Sequence, residues 1–286
     1  MRRAVGLALL LVGLGGMLTT GGGPRPAASA TLRLFGPISR LAAGWQWVRM
    51  RMALQDGQPD LAYARAEVAL ELDPSATEGW AYLAANMAFD RASPYRQPRP
   101  ELRTRWTEAA LEVLERGEAS ATRPAELAVQ GGLILVLVGE SEGAIPWPGG
   151  AAAAWQEADG AFERATRHDP GSAEGWNQRA ANRVLRLGGP ELVPDAAGRR
   201  AALEAGLKLL QQARPGVRRQ DLIDFQRGAL LAVFAESGDG ATWPGGQAAL
   251  LLQALAAFEA AAEAGFPLAP PAVDETRAAL EGLSDR

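Results

Sequence analysis

Residues Asp73 to Asn86 read DPSATEGWAYLAAN, and 96 positions later Asp169 to Asn182 read DPGSAEGWNQRAAN. The same offset carries Trp147-Pro148-Gly149-Gly150 onto Trp243-Pro244-Gly245-Gly246. It also carries Glu140-Ser141 onto Glu236-Ser237, Phe162-Glu163 onto Phe258-Glu259, and Gln130 and Gly132 onto Gln226 and Gly228. One gapless offset joining this many uncommon residues is the mark of an internal duplication. The copies run from about 59 to 154 and 155 to 250, with a truncated third over 251–286. A chain built this way must fold as copies of one supersecondary unit.

Within a unit the apolar residues recur at helical spacing. Segments 60–72 and 101–116 are rich in Ala, Leu, Glu and Arg with apolar residues three and four apart. Pro124 opens a third helix, and the Trp-Pro-Gly-Gly loop separates it from a fourth at 151–168. No segment alternates with the strand period, so the expected fold is all-α. LILVLV, Leu133 to Val138, is too short to span a bilayer and is expected in the core.

The stretch GQPDLAYARAEVALELDP, Gly57 to Pro74, resembles the second helix of a tetratricopeptide repeat, a helix-turn-helix unit of about 34 residues. Gly57, Ala62, Ala69 and Pro74 match its turn glycine, two small packing residues and closing proline. Trp80, Leu83 and Ala84 match the opening of the next repeat. In the second copy Ala158, Phe162, Ala165, Pro170, Trp176 and Ala180 keep the pattern, and Arg179 replaces the leucine. The resemblance implies a helix-hairpin solenoid over residues 57–286 with a concave binding groove. Helix pairs here average 48 residues, so the inter-helix loops are enlarged. The repeated word would be a helix start: proline ends one helix, Ser75 and Glu78 form a capping box, and the tryptophan enters the core.

Ahead of the repeats, residues 1–30 contain Arg2, Arg3 and fifteen uncharged residues from Ala4 to Leu18. That length lies between the core of an export signal and the shortest spanning helix, so a cleaved signal peptide and a retained membrane anchor both stay open. Residues 31–56 form a basic, aromatic leader or the first helix of the stack. They place Leu41, Trp45, Val48 and Met52 on one helical face and Arg40, Trp47 and Arg51 on another. The first face suits a membrane surface, but the helix at 59–72 needs a partner before it, which favours the stack.

The charge distribution excludes some functions. Residues 1–55 hold seven arginines and no acid, which leaves 22 basic and 33 acidic side chains for the rest. An acidic body does not suit nucleic acid, whereas a basic leader suits anionic lipid. With no cysteine, the chain has no disulfide, thiolate nucleophile, cysteine zinc site or lipoprotein anchor. The single histidine, His168, falls where the first copy has Leu72, so no catalytic role is expected of it.

The candidate partner-binding residues are Glu78 and Asn86, their equivalents Glu174 and Asn182, and the loop tryptophans Trp147 and Trp243. Asparagines on a concave face can pair with both groups of a peptide backbone; local capping is the competing account. The tryptophans either face a ligand or plug the end of a helix pair. Glu140 with Glu142, and Glu236 with Asp239, are weighed as calcium ligands against plain solvated loop acids, and no metal or cofactor is expected. Gly131-Gly132 lacks the lysine of a phosphate loop.

Together these features predict a non-enzymatic scaffold of the bacterial cell envelope that binds a protein or peptide and reaches the membrane through its N-terminal segment. Its body is expected outside the cytoplasm, periplasmic or anchored. The alternative is an envelope carbohydrate-binding protein, with or without hydrolase activity, that uses the loop tryptophans. A homodimer through the uncapped last repeat is a further option.

Overall fold

A computed structural model describes residues 36–284; the signal or anchor segment at 1–30 and the start of the leader lie outside the described residues. Among the described residues there are eleven α-helices and no strand. They are α1 Gly36–Gln55, α2 Pro59–Leu72, α3 Thr77–Ala85, α4 Pro100–Glu118, α5 Pro124–Glu140, α6 Gly150–His168, α7 Ala173–Ala181, α8 Ala196–Ala213, α9 Gln220–Glu236, α10 Gly246–Glu263 and α11 Ala269–Ser284.

The duplication is reproduced residue by residue. α3 and α7 start and stop 96 positions apart, and each runs straight into a wider π-helical stretch, Asn86–Arg91 and Asn182–Leu187. α5 and α9 also correspond end to end. The two Trp-Pro-Gly-Gly loops turn identically. Their glycines Gly149, Gly150, Gly245 and Gly246 have φ of 82, 74, 85 and 72°, a region where a side chain is strained.

Helices pack chiefly on their neighbours in sequence, with α1–α2, α5–α6 and α9–α10 as the tightest pairs. α3, α5, α7 and α9 also touch in turn, one to the next. The close pairs depend on a missing side chain. Gly132 of α5 faces the ring of the fully buried Phe162 on α6, and Gly228 of α9 faces Phe258 on α10 in the same way. The two largest apolar clusters follow the copies. One gathers around Leu83, Leu114 and Leu127, the other around Leu210, Leu231 and Phe258.

The enlarged loops are tied to each other by matching bonds. Arg103 of α4 donates to the carbonyls of Gln97, Pro98 and Ala144; Arg199 of α8 donates to those of Val193 and Pro194 and to the carboxylate of Asp239. Thr104 donates to the Pro146 carbonyl and Arg200 to that of Thr242, again at one offset.

The repeated word does form a helix start, but without its capping box. α3 begins at Thr77 with Ala76 at the cap, and the Ser75 hydroxyl donates instead to the Asp73 carboxylate at 2.7 Å. The indole is the device that fixes the turn. Trp80 Nε1 donates to the Pro74 carbonyl at 2.9 Å, and Trp176 Nε1 to that of Pro170 at 3.1 Å. Trp80 lies deeper, because Gly117 leaves room where a Cβ would come within 2.7 Å of its ring. The second copy has Ala213 there, and Trp176 is only half-buried.

The replacement of leucine by Arg179 is part of a coupled change. The first copy places Tyr63, Leu83 and Met87 together in its apolar cluster. The second has Asp159, Arg179 and Arg183 at those positions, and Arg183 donates twice to Asp159 at 2.8 Å. Arg179 Nε lies 3.6 Å from the same carboxylate, so a charge enters the second copy together with its counter-charges. Burial in the first copy, against the partial offset of Arg91 nearby, pushes the Tyr63 hydroxyl up to about 12.

α1 pairs with α2, but not through its long apolar row. Ser39, Ala43, Met50 and Ala53 face inward, with the fully buried Met50 as the one large side chain among three small ones, and Trp47 lies edge-on to Tyr82. Leu41, Trp45, Val48 and Met52 stay exposed.

Candidate binding cleft

The six residues singled out in the sequence do not gather into one site. Asn182 is fully buried. Its amide nitrogen donates to the Trp155 carbonyl at 2.9 Å, which fastens the π-helical stretch of α7 to α6, and its Oδ1 is buried without a hydrogen-bond partner, out of reach of a ligand. Asn86 starts the equivalent stretch and donates back to the Tyr82 carbonyl at 2.9 Å, a bond within its own helix. The two asparagines therefore hold wide helical turns and do not form a ladder for a peptide. Glu78 is exposed and paired with Arg123, and Glu174 is exposed and accepts from Gln178 at 3.0 Å.

Both loop tryptophans are half-buried. Trp243 meets Phe234 edge-on at 6.5 Å, and Trp147 covers apolar residues of α5 and α6. Each closes the end of a helix pair. Trp147 also reaches the edge of a cleft, because its Nε1 donates to Glu157 at 3.1 Å.

Glu157 stands on the rim of a cleft of about 280 Å³ between α4, α5 and α6. Its apolar lining comes from Leu111, Leu114, Leu135 and Ala161. Gly131 and Gly160 leave it open, and Glu115, Glu118, Glu157 and Arg164 ring it with charge. A Cβ at Gly160 would meet nothing within 4 Å. Glu118 is the tethered member: Arg164 donates to both its oxygens at 3.2 Å, and His168 Nε2 lies 3.1 Å away. Arg164 also comes within 3.9 Å of Glu115. Three carboxylates against one guanidinium leave the rim negative.

The internal duplication shows which part of this cleft is scaffolding. Leu111, Leu114, Leu135 and Ala161 recur as Leu207, Leu210, Leu231 and Ala257. Every other lining residue differs. Glu115, Glu118, Glu157 and Arg164 become Gln211, Arg214, Gln253 and Ala260, and Gly131 and Gly160 become Arg227 and Ala256. In the second copy Arg214 turns away to Asp224, at 2.9 and 3.0 Å. Aligning the copies position by position exposes the rim; reading for unusual residues does not, because glutamates on a helix look like a solvated face.

The loop acids have other uses. Arg186 pairs with Glu140, and Asp239 holds Arg199 through two bonds of 2.6 Å. Among the described residues no group of three or more His, Cys, Asp or Glu is placed to hold a metal ion. No helix of the described residues is long and apolar enough to cross a membrane. No protein-family model and no curated protein matches the chain.

Proposed function

We propose that this protein is a non-enzymatic scaffold of the bacterial cell envelope, a divergent tetratricopeptide-like solenoid that holds a protein or peptide partner. An arginine or lysine side chain of that partner enters the cleft between α4 and α6. The observation that carries the reading is the contrast within the cleft: the leucine floor is repeated in both copies, whereas the charged rim and the two glycines belong to the first copy alone. Packing accounts for the repeated floor. A leucine floor under a negative rim matches a side chain with an aliphatic stem and a cationic head. The row of touching helices α3, α5, α7 and α9 supports the solenoid, since such units cover their apolar faces only by stacking. The uncharged run Ala4–Leu18 supports placement at the envelope with the body outside the cytoplasm.

The test replaces Glu115 and Glu157 by glutamine, the residues that the second copy carries at the equivalent positions, Gln211 and Gln253. The variant is expected to fold as the parent does and to lose at least about tenfold in affinity for arginine-containing members of a random peptide library, read by fluorescence anisotropy. Equal binding of those peptides by parent and variant would remove the cleft from the reading.

A further inference from the structure

We infer that α1 lies along an anionic membrane surface, with its outward apolar row in the headgroup region and its arginines against lipid phosphates. The row is Ile38, Leu41, Trp45, Val48 and Met52, spaced alternately three and four residues apart; these side chains are 57, 77, 59, 48 and 54 % exposed. Inward packing by Ser39, Ala43, Met50 and Ala53 turns this row away from the body, by roughly 145° at 100° per residue. No other helix leaves such a run of large apolar side chains uncovered, among the described residues.

Charge selects the occupant. Arg49 borders the row on one side and Arg51 on the other, with Arg40 beyond Arg51 and 3.9 Å from the Asp73 carboxylate, and α1 contains no acid. Two copies of α1 facing each other would bring these arginines together, a repulsion that flanking charges of one sign impose on any such seam. An anionic lipid surface attracts them, and it accepts a tryptophan at headgroup depth. The rest of the chain, with 33 acids against 22 bases, is repelled by the same surface, so α1 is the face that can approach it. The uncharged run Ala4–Leu18 ends only seventeen residues before α1, which keeps the helix near any bilayer that this run enters. The inference goes beyond the peptide cleft and does not depend on it.

The chain has no cysteine, so single labels can be placed without background. Leu41→Cys and Val48→Cys report on the row, and Ser284→Cys, on the exposed end of α11, serves as reference. Each full-length variant carries a polarity-sensitive fluorophore and is reconstituted in vesicles of three parts phosphatidylcholine to one part phosphatidylglycerol containing nitroxide-labelled lipid. Labels at 41 and 48 are expected to be quenched by that lipid at least about twofold more than the label at 284. The excess is expected to fall in purely zwitterionic vesicles and with Arg49→Gln and Arg51→Gln combined. Labels at 41 and 48 as open to aqueous iodide as the reference would overturn the inference. So would shielding already present without vesicles: if it grows with protein concentration a second copy covers the row, and if it does not the chain's own N-terminal run does.

Discussion

Replacing Gly132 by alanine should destabilise the protein although it removes a glycine from the middle of a helix. Helix propensity alone favours the change by about 1 kcal/mol. The new Cβ, however, would lie 2.3, 2.7 and 2.7 Å from three ring atoms of Phe162, whereas carbon atoms rest about 3.5 to 4.0 Å apart. Phe162 is fully buried, so the ring can yield only by forcing α5 away from α6. Overpacking of this kind costs about 1–3 kcal/mol, which leaves a net loss of about 1 kcal/mol. Gly160→Ala on α6 is the control, because its Cβ meets nothing within 4 Å and it should gain about 1 kcal/mol. The two variants should therefore differ by about 2 kcal/mol, or roughly 4 to 8 °C in Tm for a chain of this size. Urea and thermal denaturation followed by far-ultraviolet circular dichroism would measure both. In a Phe162→Leu background, Gly132→Ala should become stabilising, because the clashing ring is gone. A Gly132→Ala protein at least as stable as the parent would refute the reasoning, since propensity would then outweigh the contact said to set the helix spacing.

Acid should remove part of the stability through Asp239. The two bonds from Arg199, more than the general field of that charge, hold the Asp239 carboxyl below the usual carboxylate range. Because the folded value is lowered, the contribution is complete above the unfolded aspartate value of about 3.9 and is lost as pH falls through the folded one. Asp239→Asn should thus be less stable than the parent at neutral pH, and the gap should close as pH falls through the lowered folded value of Asp239. A gap between their urea midpoints that does not change with pH would contradict this assignment. Trp80→Phe and Trp176→Phe each delete an indole bond to a proline carbonyl. The first should cost about 1–2 kcal/mol and the second less than about 1 kcal/mol, since Trp80 is buried and Trp176 half-exposed. Equal shifts in urea midpoint would show that burial does not separate the two copies.

The repeat was legible because a duplication is written in letters and needs no geometry. Helix positions followed from it, since apolar spacing, Pro124 and the paired glycines of the Trp-Pro-Gly-Gly loops act locally. The roles of single polar residues were less legible. Asn86 and Asn182 share a place in sequence and in the π-helical stretches, yet one bonds its own helix and the other the Trp155 carbonyl on a neighbouring helix. Ser75 has the spacing of a capping residue, but its hydroxyl finds Asp73 closer than the first turn of α3. The cleft was present in the letters only as a difference between copies, at Glu115, Glu157 and Gly160.

By itself the sequence determined that the chain is helical, that its units recur every 96 residues, and where its turns fall, because each of these depends on residues close together along the chain. Tertiary structure decided which face of each helix is hidden. α1 turns Ser39, Ala43 and Ala53 inward around the single large side chain of Met50 and leaves Leu41 and Trp45 outside, because the three small residues allow close approach to α2. It also decided that the rim of Glu115, Glu118 and Glu157 surrounds one space, which exists only where α4 and α6 stand apart over two glycines.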